Sequence, residues 1–233
     1  MTSKKTFQRF AQWLVDCDQE SESLLEMIKK CAGRDAAILD VGCGYGRNLA
    51  LLVNAGYSDV TGIEKNSHIA EAVRQQGYDC MRPEEFDSST RHYDLILMSH
   101  LIEHFEPHAL LEFVDAYLDR LRPGGYLVIA TPLLGDCFYE DFDHVRPYLP
   151  TGILNVFGKP GAQVQFYSRN NLELVDVWFR RGFHKFVYFK ASYVKTRLTV
   201  FVRLLSLFSA LIFRLSLRRI GKVDGWVGLF RKC

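Results

Sequence analysis

From residue 36 onward, short apolar runs alternate with segments of helical period. The runs are AAILDV (36–41), VTGI (60–63), YDCM (78–81), YDLILM (93–98) and YLVIA (126–130). A strand covered on both faces needs no polar alternation, so runs like these, separated by helical stretches, predict parallel strands with helices on either side. Residues Pro107 to Leu121 show the intervening period: Leu110, Leu111, Val114, Tyr117, Leu118 and Leu121 form one apolar stripe, and Pro107 suits a first helical turn. Arg122-Pro123-Gly124-Gly125 then predicts a turn into the next strand. Ahead of the alternation, residues 7–31 predict a helical flank. Phe10, Trp13, Leu14 and Cys17, then Leu24, Leu25 and Ile28, share one face, with a break near Asp18 to Ser23.

The carboxyl-terminal region follows a different pattern. HKFVYFK (184–190) and DGWVGLFRK (224–232) read as strands, and between them Leu198 to Leu217 is apolar apart from Arg203, Arg214 and a few hydroxyl residues. On a helical wheel Arg197, Arg203, Arg214 and Arg218 fall on one side, which predicts an amphipathic helix rather than a span, since two arginines in mid-membrane are costly. Such a helix can rest on a membrane surface, cover the sheet or form a dimer contact, and the pattern does not choose among these.

Bulk composition narrows the setting. A chain of 233 residues, 48% of them apolar, can bury the core of one elaborated domain, here 1–233. Its subdivision is expected to be a flank (1–34), a core (35–132) and a carboxyl-terminal part (133–233). A formal charge of +2 makes no electrostatic case for nucleic acid. Six cysteines, at 17, 31, 43, 80, 137 and 233, form no CxxC pair, and the first twenty residues lack a signal-peptide core, so a cytoplasmic protein with reduced thiols is expected.

The chemistry starts in ILDVGCGYGRNL, where Gly42, Gly44 and Gly46 follow a strand ending in an aspartate. Glycine permits positive φ and brings backbone N–H groups close to a ligand outside the carboxyl ends of the strands. A dinucleotide fingerprint read from Gly42 would need glycine or alanine where Arg47 stands. Asp40 would repel a phosphate and suits an ammonium group, while Glu64, closing the next strand, suits the two hydroxyls of a ribose. An amine near one acid and a ribose near the other describe S-adenosylmethionine.

DVGCGYG, the GIE strand end, YDLILMSHLIEHF and LRPGGYLVIATP together resemble the class I S-adenosylmethionine-dependent methyltransferases over residues 36–132. The resemblance implies a Rossmann-like, doubly wound, mostly parallel sheet of seven strands, its last two forming an antiparallel hairpin. The amphipathic helix is then inserted between those two strands. It implies that Asp40, Gly42, Gly44 and Gly46 line the methionine part of the cofactor, that Glu64 holds the ribose, and that Ser99 and His100 flank the sulfonium side. Many relatives hold the adenine with an aspartate after the third strand; this chain reads CMRPEEF there, leaving Glu84 or Glu85 as substitutes. In similar enzymes acting on sugars, lipids or other small molecules, a run like DHVRPY forms the acceptor side, which implicates Asp143, His144, Arg146 and Tyr148.

Methyl transfer to a hydroxyl needs a proton acceptor, a role suited to His144, with His100 and His104 as further catalytic candidates. Arg146 suits a carboxylate or phosphate on the acceptor, or else a structural clamp with Asp143 or Glu140. The expected reaction is O-methylation of a small-molecule, lipid-linked or envelope-glycan acceptor. A non-catalytic cofactor-binding protein is the alternative. HLIEH (100–104) also spells an HxxEH zinc-hydrolase motif, but two histidines converge on one metal only within a helix, and His100 follows directly on a strand, so no metal is expected.

Overall fold

The computed structural model describes residues 9, 11–14, 19–135, 137–158 and 161–233. Phe10 and Cys17, expected on the flanking helix, lie outside the described residues. Residues 11–14 are helical, and the next helix, α1, spans Glu20–Cys31, so it begins within the expected break. Acidic Glu20 and Glu22 in its first turn and Lys29 and Lys30 in its last match the helix dipole. Leu24, Met27 and Ile28 are buried against the sheet.

The alternating region folds as β1 (Ile38–Val41), α2 (Arg47–Asn54), β2 (Val60–Ile63), α3 (Ser67–Gln75), β3 (Asp79–Met81), α4 (Pro83–Ser88), β4 (Tyr93–Ser99), α5 (Pro107–Leu118) and β5 (Leu121–Pro132). Then follow α6 (Pro150–Phe157), β6 (Leu172–Gly182), α7 (Thr199–Leu215) and β7 (Lys222–Lys232). The strand order is β3-β2-β1-β4-β5-β7-β6, with β1 to β5 parallel and β7 antiparallel to both β5 and β6. Successive side chains point to opposite faces. Leu39, Val41, Ile96, Met98 and Trp226 therefore join the core under α5 and α6, whereas Ile38, Leu95, Leu97 and Val227 join the core under α1 to α3. The fold is thus the expected seven-stranded Rossmann-like α/β sheet.

Two boundaries differ from the sequence pattern. The expected Arg122–Gly125 turn lies inside β5, where a register shift opposite Tyr93/Leu95 absorbs it. The strand paired with β7 is LELVDVWFRRG (172–182), not HKFVYFK. β6 is an edge strand, so Glu173, Asp176, Arg180 and Arg181 can sit in it without loss, which hides its alternation. HKFVYFK owes its apolar character to a different use, lining a cavity under α7 through Phe186 and Val187. The inserted helix itself is present as α7, between β6 and β7 as expected.

Candidate functional site

The strand order reverses between β1 and β4, and the register sets Val41 level with both Ile63 and Met98. The loops after β1, β2 and β4 therefore open at one crevice, the usual ligand position in such a sheet. A cavity of about 610 Å³ occupies it, lined by Gly42, Glu64, His100, Leu101, His104 and Asp143 among others. Gly42, Gly44 and Gly46 have φ of +74°, +52° and +83°, the left-handed region that L side chains avoid. That conformation aims Gly44 N–H at Glu64 Oε2 (3.1 Å), while Asn66 N–H donates to Oε1 (2.8 Å). Each carboxylate oxygen retains a second lone pair for a hydroxyl.

Asp40 is completely buried, and neither of its oxygens has a hydrogen-bond partner among the described residues. Burial pushes its carboxyl up to about 7, against the weaker pull of Asn48 and Arg47. An orphaned buried carboxylate beside a glycine cradle, one strand from Glu64, fits the ammonium and ribose of S-adenosylmethionine. The fit has a thermodynamic consequence. Below pH 7 the free Asp40 is protonated, and pairing with an ammonium requires it ionised, so binding should release a proton. Affinity for S-adenosylhomocysteine is expected to rise with pH up to about 7 and then level off. Calorimetry in buffers of different ionisation enthalpy should show proton release that Asp40→Asn removes; pH-independent binding would place the ammonium elsewhere.

His100 ends β4 with φ +52°, its N–H donating to Ala130 O (2.8 Å). The imidazole lies between two carboxylates, with Nε2 2.7 Å from Glu20 Oε1 and Nδ1 3.4 Å from Glu103 Oε1. Burial alone would lower its pKa, but Glu103 and Glu20 outweigh it and push the ring up to about 9. Glu20 also meets Arg180 Nη1 at 2.5 Å and Arg47 Nη2 at 3.5 Å, and Arg180 Nε bonds Asp224 Oδ1 at 2.8 Å. This network joins α1, α2, β4, β6 and β7 across the mouth of the crevice. Glu20, Arg180 and Asp224 are far apart in sequence and carry no motif, so nothing in the chain marked them. Ser99 lies beside them, buried, its hydroxyl unpartnered among the described residues.

Beyond His100 the chain makes one 3-10 turn, Ile102–His104, so the HxxEH pair does not converge: His100 turns to Glu20 and His104 to His144. Glu103 organises the junction. Its side chain is fully buried, Oε2 accepts from Thr131 Oγ1 (3.0 Å), and its carbonyl accepts from Val145 N–H (2.9 Å) and Arg146 N–H (3.2 Å). Those backbone bonds pin the DHVRPY loop against the turn, bringing the His144 and His104 rings to 4.9 Å between centroids.

Other residues of the loop and of CMRPEEF stand elsewhere. Tyr148 does not face the crevice: it is buried in the core, its hydroxyl donating to Phe105 O (2.9 Å), and burial pushes it up to about 12. Arg146 is exposed with its guanidinium over the Tyr148 ring, 5.3 Å from the centroid; among the described residues it pairs with neither Asp143 nor Glu140, so the expected clamp is not formed. Glu84 pairs with Arg82 (3.0 Å) and Glu85 bonds Arg82 N–H and Arg74, so both carboxylates are engaged outside the crevice lining.

Two further cavities lie on the other side of the His104–His144 contact. One of about 190 Å³, reached by His144, is lined by Arg180, His184, Lys185 and Lys222 with Asp224 as its acidic group. Phe183 and Lys185 also line the other, an apolar cavity of about 650 Å³ under α7 that includes Phe186, Val187, Val202 and Leu207. The sequence pattern revealed neither, because it places the strand at HKFVYFK and gives residues 172–182 no element.

The comparisons agree with this geometry. The family model described as "Methyltransferase domain" matches residues 8–186. A curated relative, trans-aconitate 2-methyltransferase from Azoarcus sp. (strain BH72), is 28% identical over 129 residues, 52% of this chain; the match spans about half (49%) of that protein's length. A solved S-adenosylmethionine-dependent methyltransferase from Archaeoglobus fulgidus superposes with a TM-score of 0.58 at 17% identity, covering 97% of this chain and 99% of the other. Magnesium protoporphyrin IX methyltransferase from Synechocystis PCC 6803, solved with bound S-adenosylmethionine, gives 0.55 at 10% identity, covering 92% and 79%. A family match over most of the chain, on a crevice whose orphaned acid, glycine turn and paired carboxylate suit one cofactor, makes this chain a class I S-adenosylmethionine-dependent methyltransferase.

Proposed function

We propose that the chain methylates a hydroxyl of an anionic small molecule that carries an apolar tail, a lipid-linked acceptor being the form that suits all three cavities. The observation that carries this reading is their adjacency: His104 of the cofactor crevice and His144 of the basic cavity stand 4.9 Å apart between ring centroids, and Phe183 and Lys185 are shared by the basic and apolar cavities. Bound S-adenosylmethionine supplies an already activated methyl group. The chain's residues have to hold the acceptor oxygen in line, exclude water and accept its proton. A carbon–oxygen bond forms, the carbon–sulfur bond breaks with its electron pair left on sulfur, and the hydroxyl proton leaves at the Glu103–His104–His144 junction. Arg180, His184 and Lys185 suit a phosphate or carboxylate on the acceptor, the role the sequence had assigned to Arg146. A screen of lipid-linked and soluble hydroxyl acceptors, read by mass shift, tests this: methylation confined to neutral, tail-less acceptors would refute it, and cofactor binding without transfer to any would favour a binding protein.

The tail implies a surface from which the acceptor is drawn. No helix among the described residues is long and apolar enough to cross a membrane. α7 buries Val202, Ala210 and Phe213 while exposing Phe201, Leu204, Phe208, Ile212 and Leu215 at helical spacing, beside exposed Arg197 and Arg203. Arg214 does not belong to that basic side: its guanidinium lies 4.1 Å from the Trp13 ring centroid and donates to Leu14 O. Basic groups near an anionic surface contribute on the order of 1 kcal/mol each. We expect cosedimentation with anionic liposomes that falls with salt and with Arg197→Glu plus Arg203→Glu. Full retention in the supernatant at low salt would remove the membrane contact.

A further inference from the structure

We propose that Glu103, His104 and His144 form a binding site for one divalent transition-metal ion at the junction of the cofactor crevice and the basic cavity. The ligand atoms of these three side chains all lie within 4.8 Å of one another. Glu103 is fully buried, yet its Oε1 has no hydrogen-bond partner, whereas Oε2 is satisfied by Thr131. Oε1, buried and without a hydrogen bond, faces three imidazoles: His100, with Nδ1 at 3.4 Å, and the His104 and His144 rings on the other side.

The imidazoles are set for ligation. His144 Nδ1–H donates to Phe138 O (2.7 Å) and His104 Nδ1–H donates to Asp143 O (3.0 Å). A backbone carbonyl on one ring nitrogen fixes the neutral tautomer and leaves a lone pair on Nε2, the arrangement that outer partners impose on metal-bound histidines. His144 Nε2 stands 3.9 Å from Glu103 Oε1. Ligands sharing a cation at about 2 Å sit roughly 3 to 3.5 Å apart, so binding requires a contraction of about half an ångström along that edge. His100 Nδ1, at 3.4 Å, is the rival for Oε1, since a protonated ring can face Glu20 through Nε2 and Glu103 through Nδ1 together; a cation has to displace it from Oε1.

Two imidazoles and one carboxylate favour Mn²⁺, Co²⁺ or Zn²⁺ over Mg²⁺ and Ca²⁺, and a three-residue set leaves coordination positions open toward the cavities. The cation's role, though not its binding, rests on the methyl-transfer reading above. A cation held there would lower the pKa of an acceptor hydroxyl bound to it, an alternative to proton acceptance by the His144 imidazole, whose Nε2 the cation would occupy.

The test uses the full chain, stripped with a chelator and titrated with Co²⁺ alone, followed by visible absorption and calorimetry. One Co²⁺ per chain is expected, with affinity reduced about tenfold or more by Glu103→Gln and by His144→Ala. Binding of S-adenosylhomocysteine by each variant reports on folding, and if Glu103→Gln fails to fold, His104→Ala, on the crevice wall, carries the comparison. No Co²⁺ uptake, or uptake indifferent to all three substitutions, overturns the site. Failure of the wild-type chain to bind S-adenosylhomocysteine would sink the methyl-transfer reading and leave the Co²⁺ result standing.

Discussion

Replacing His144 with alanine is expected to lower turnover by about 10²-fold or more, the usual scale for losing the group that handles the acceptor's proton, while leaving S-adenosylhomocysteine affinity nearly unchanged. The separation follows from position. His144 lines the basic cavity, and the glycine loop, Asp40 and Glu64, which we propose hold the cofactor, lie at the carboxyl ends of β1 and β2. A purely structural role is the serious competitor, because the Nδ1 bond to Phe138 O helps order the loop. His144→Asn separates the two, since its amide can still donate to that carbonyl but offers no Nε2. Activity restored by asparagine would make His144 a loop clamp; equal losses in both variants would place the chemistry on Nε2. Arg146→Lys serves as contrast and should change turnover little, since the guanidinium lies on Tyr148.

Glu20→Ala should produce the largest loss of stability of any single change at this crevice. The carboxylate is buried and shared by His100 and Arg180, so its removal leaves two half-buried cationic partners, with Asp224 beside Arg180 and Glu103 beside His100 as partial compensation. Breaking a fully buried ion pair costs about 3 to 5 kcal/mol, and solvent access to His100 and Arg180 brings the expected loss below that, measurable by urea unfolding. The pH dependence supplies an independent check. Burial would raise the Glu20 carboxyl, but His100, Arg180 and Arg47 together bring it from the ordinary 4.5 down to about 2. A depressed carboxyl stabilises the fold fully above its unfolded value, and that contribution is lost as pH falls from about 4.5 toward 2. Glu20→Gln should flatten this acid limb while retaining hydrogen bonding. An unchanged limb would mean that the ion pairs are solvated and of little weight.

Elements whose identity rests on local pattern were legible from the chain. The five parallel strands are continuous apolar runs because both faces of the sheet are covered, and the helix from Pro107 announces itself by its stripe and its proline. The glycine turn was legible too, since Gly42, Gly44 and Gly46 all adopt the left-handed backbone that glycine favours, and Asp40 and Glu64 stand at the ends of β1 and β2, where an amine and a ribose are expected. Where burial is one-sided the pattern weakened. β6, an edge strand carrying Glu173, Arg180 and Arg181, shows no clear alternation and was not recognised, while HKFVYFK, whose aromatic residues cover a cavity, read as the strand.

The sequence by itself thus determined the fold class, the family and the cofactor, because each short motif between residues 36 and 132 is a local pattern and their series along the chain identifies the family. Only the tertiary structure decided which side chains meet. Glu20 reaches His100 and Arg180 across separations of 80 and 160 residues, and no local spacing encodes such a pairing. His104 and His144 are brought together by two backbone bonds to the Glu103 carbonyl, while Tyr148, in the same loop as His144, turns into the core because its ring gains more from burial than from the crevice. HLIEH illustrates the same limit: its letters suit a helical metal site, but β4 ends in a left-handed residue at His100 and sends the two histidines apart. Charge and hydrogen-bonding partners in a crevice are set by which loops the sheet order places side by side, and that order is a property of the whole chain.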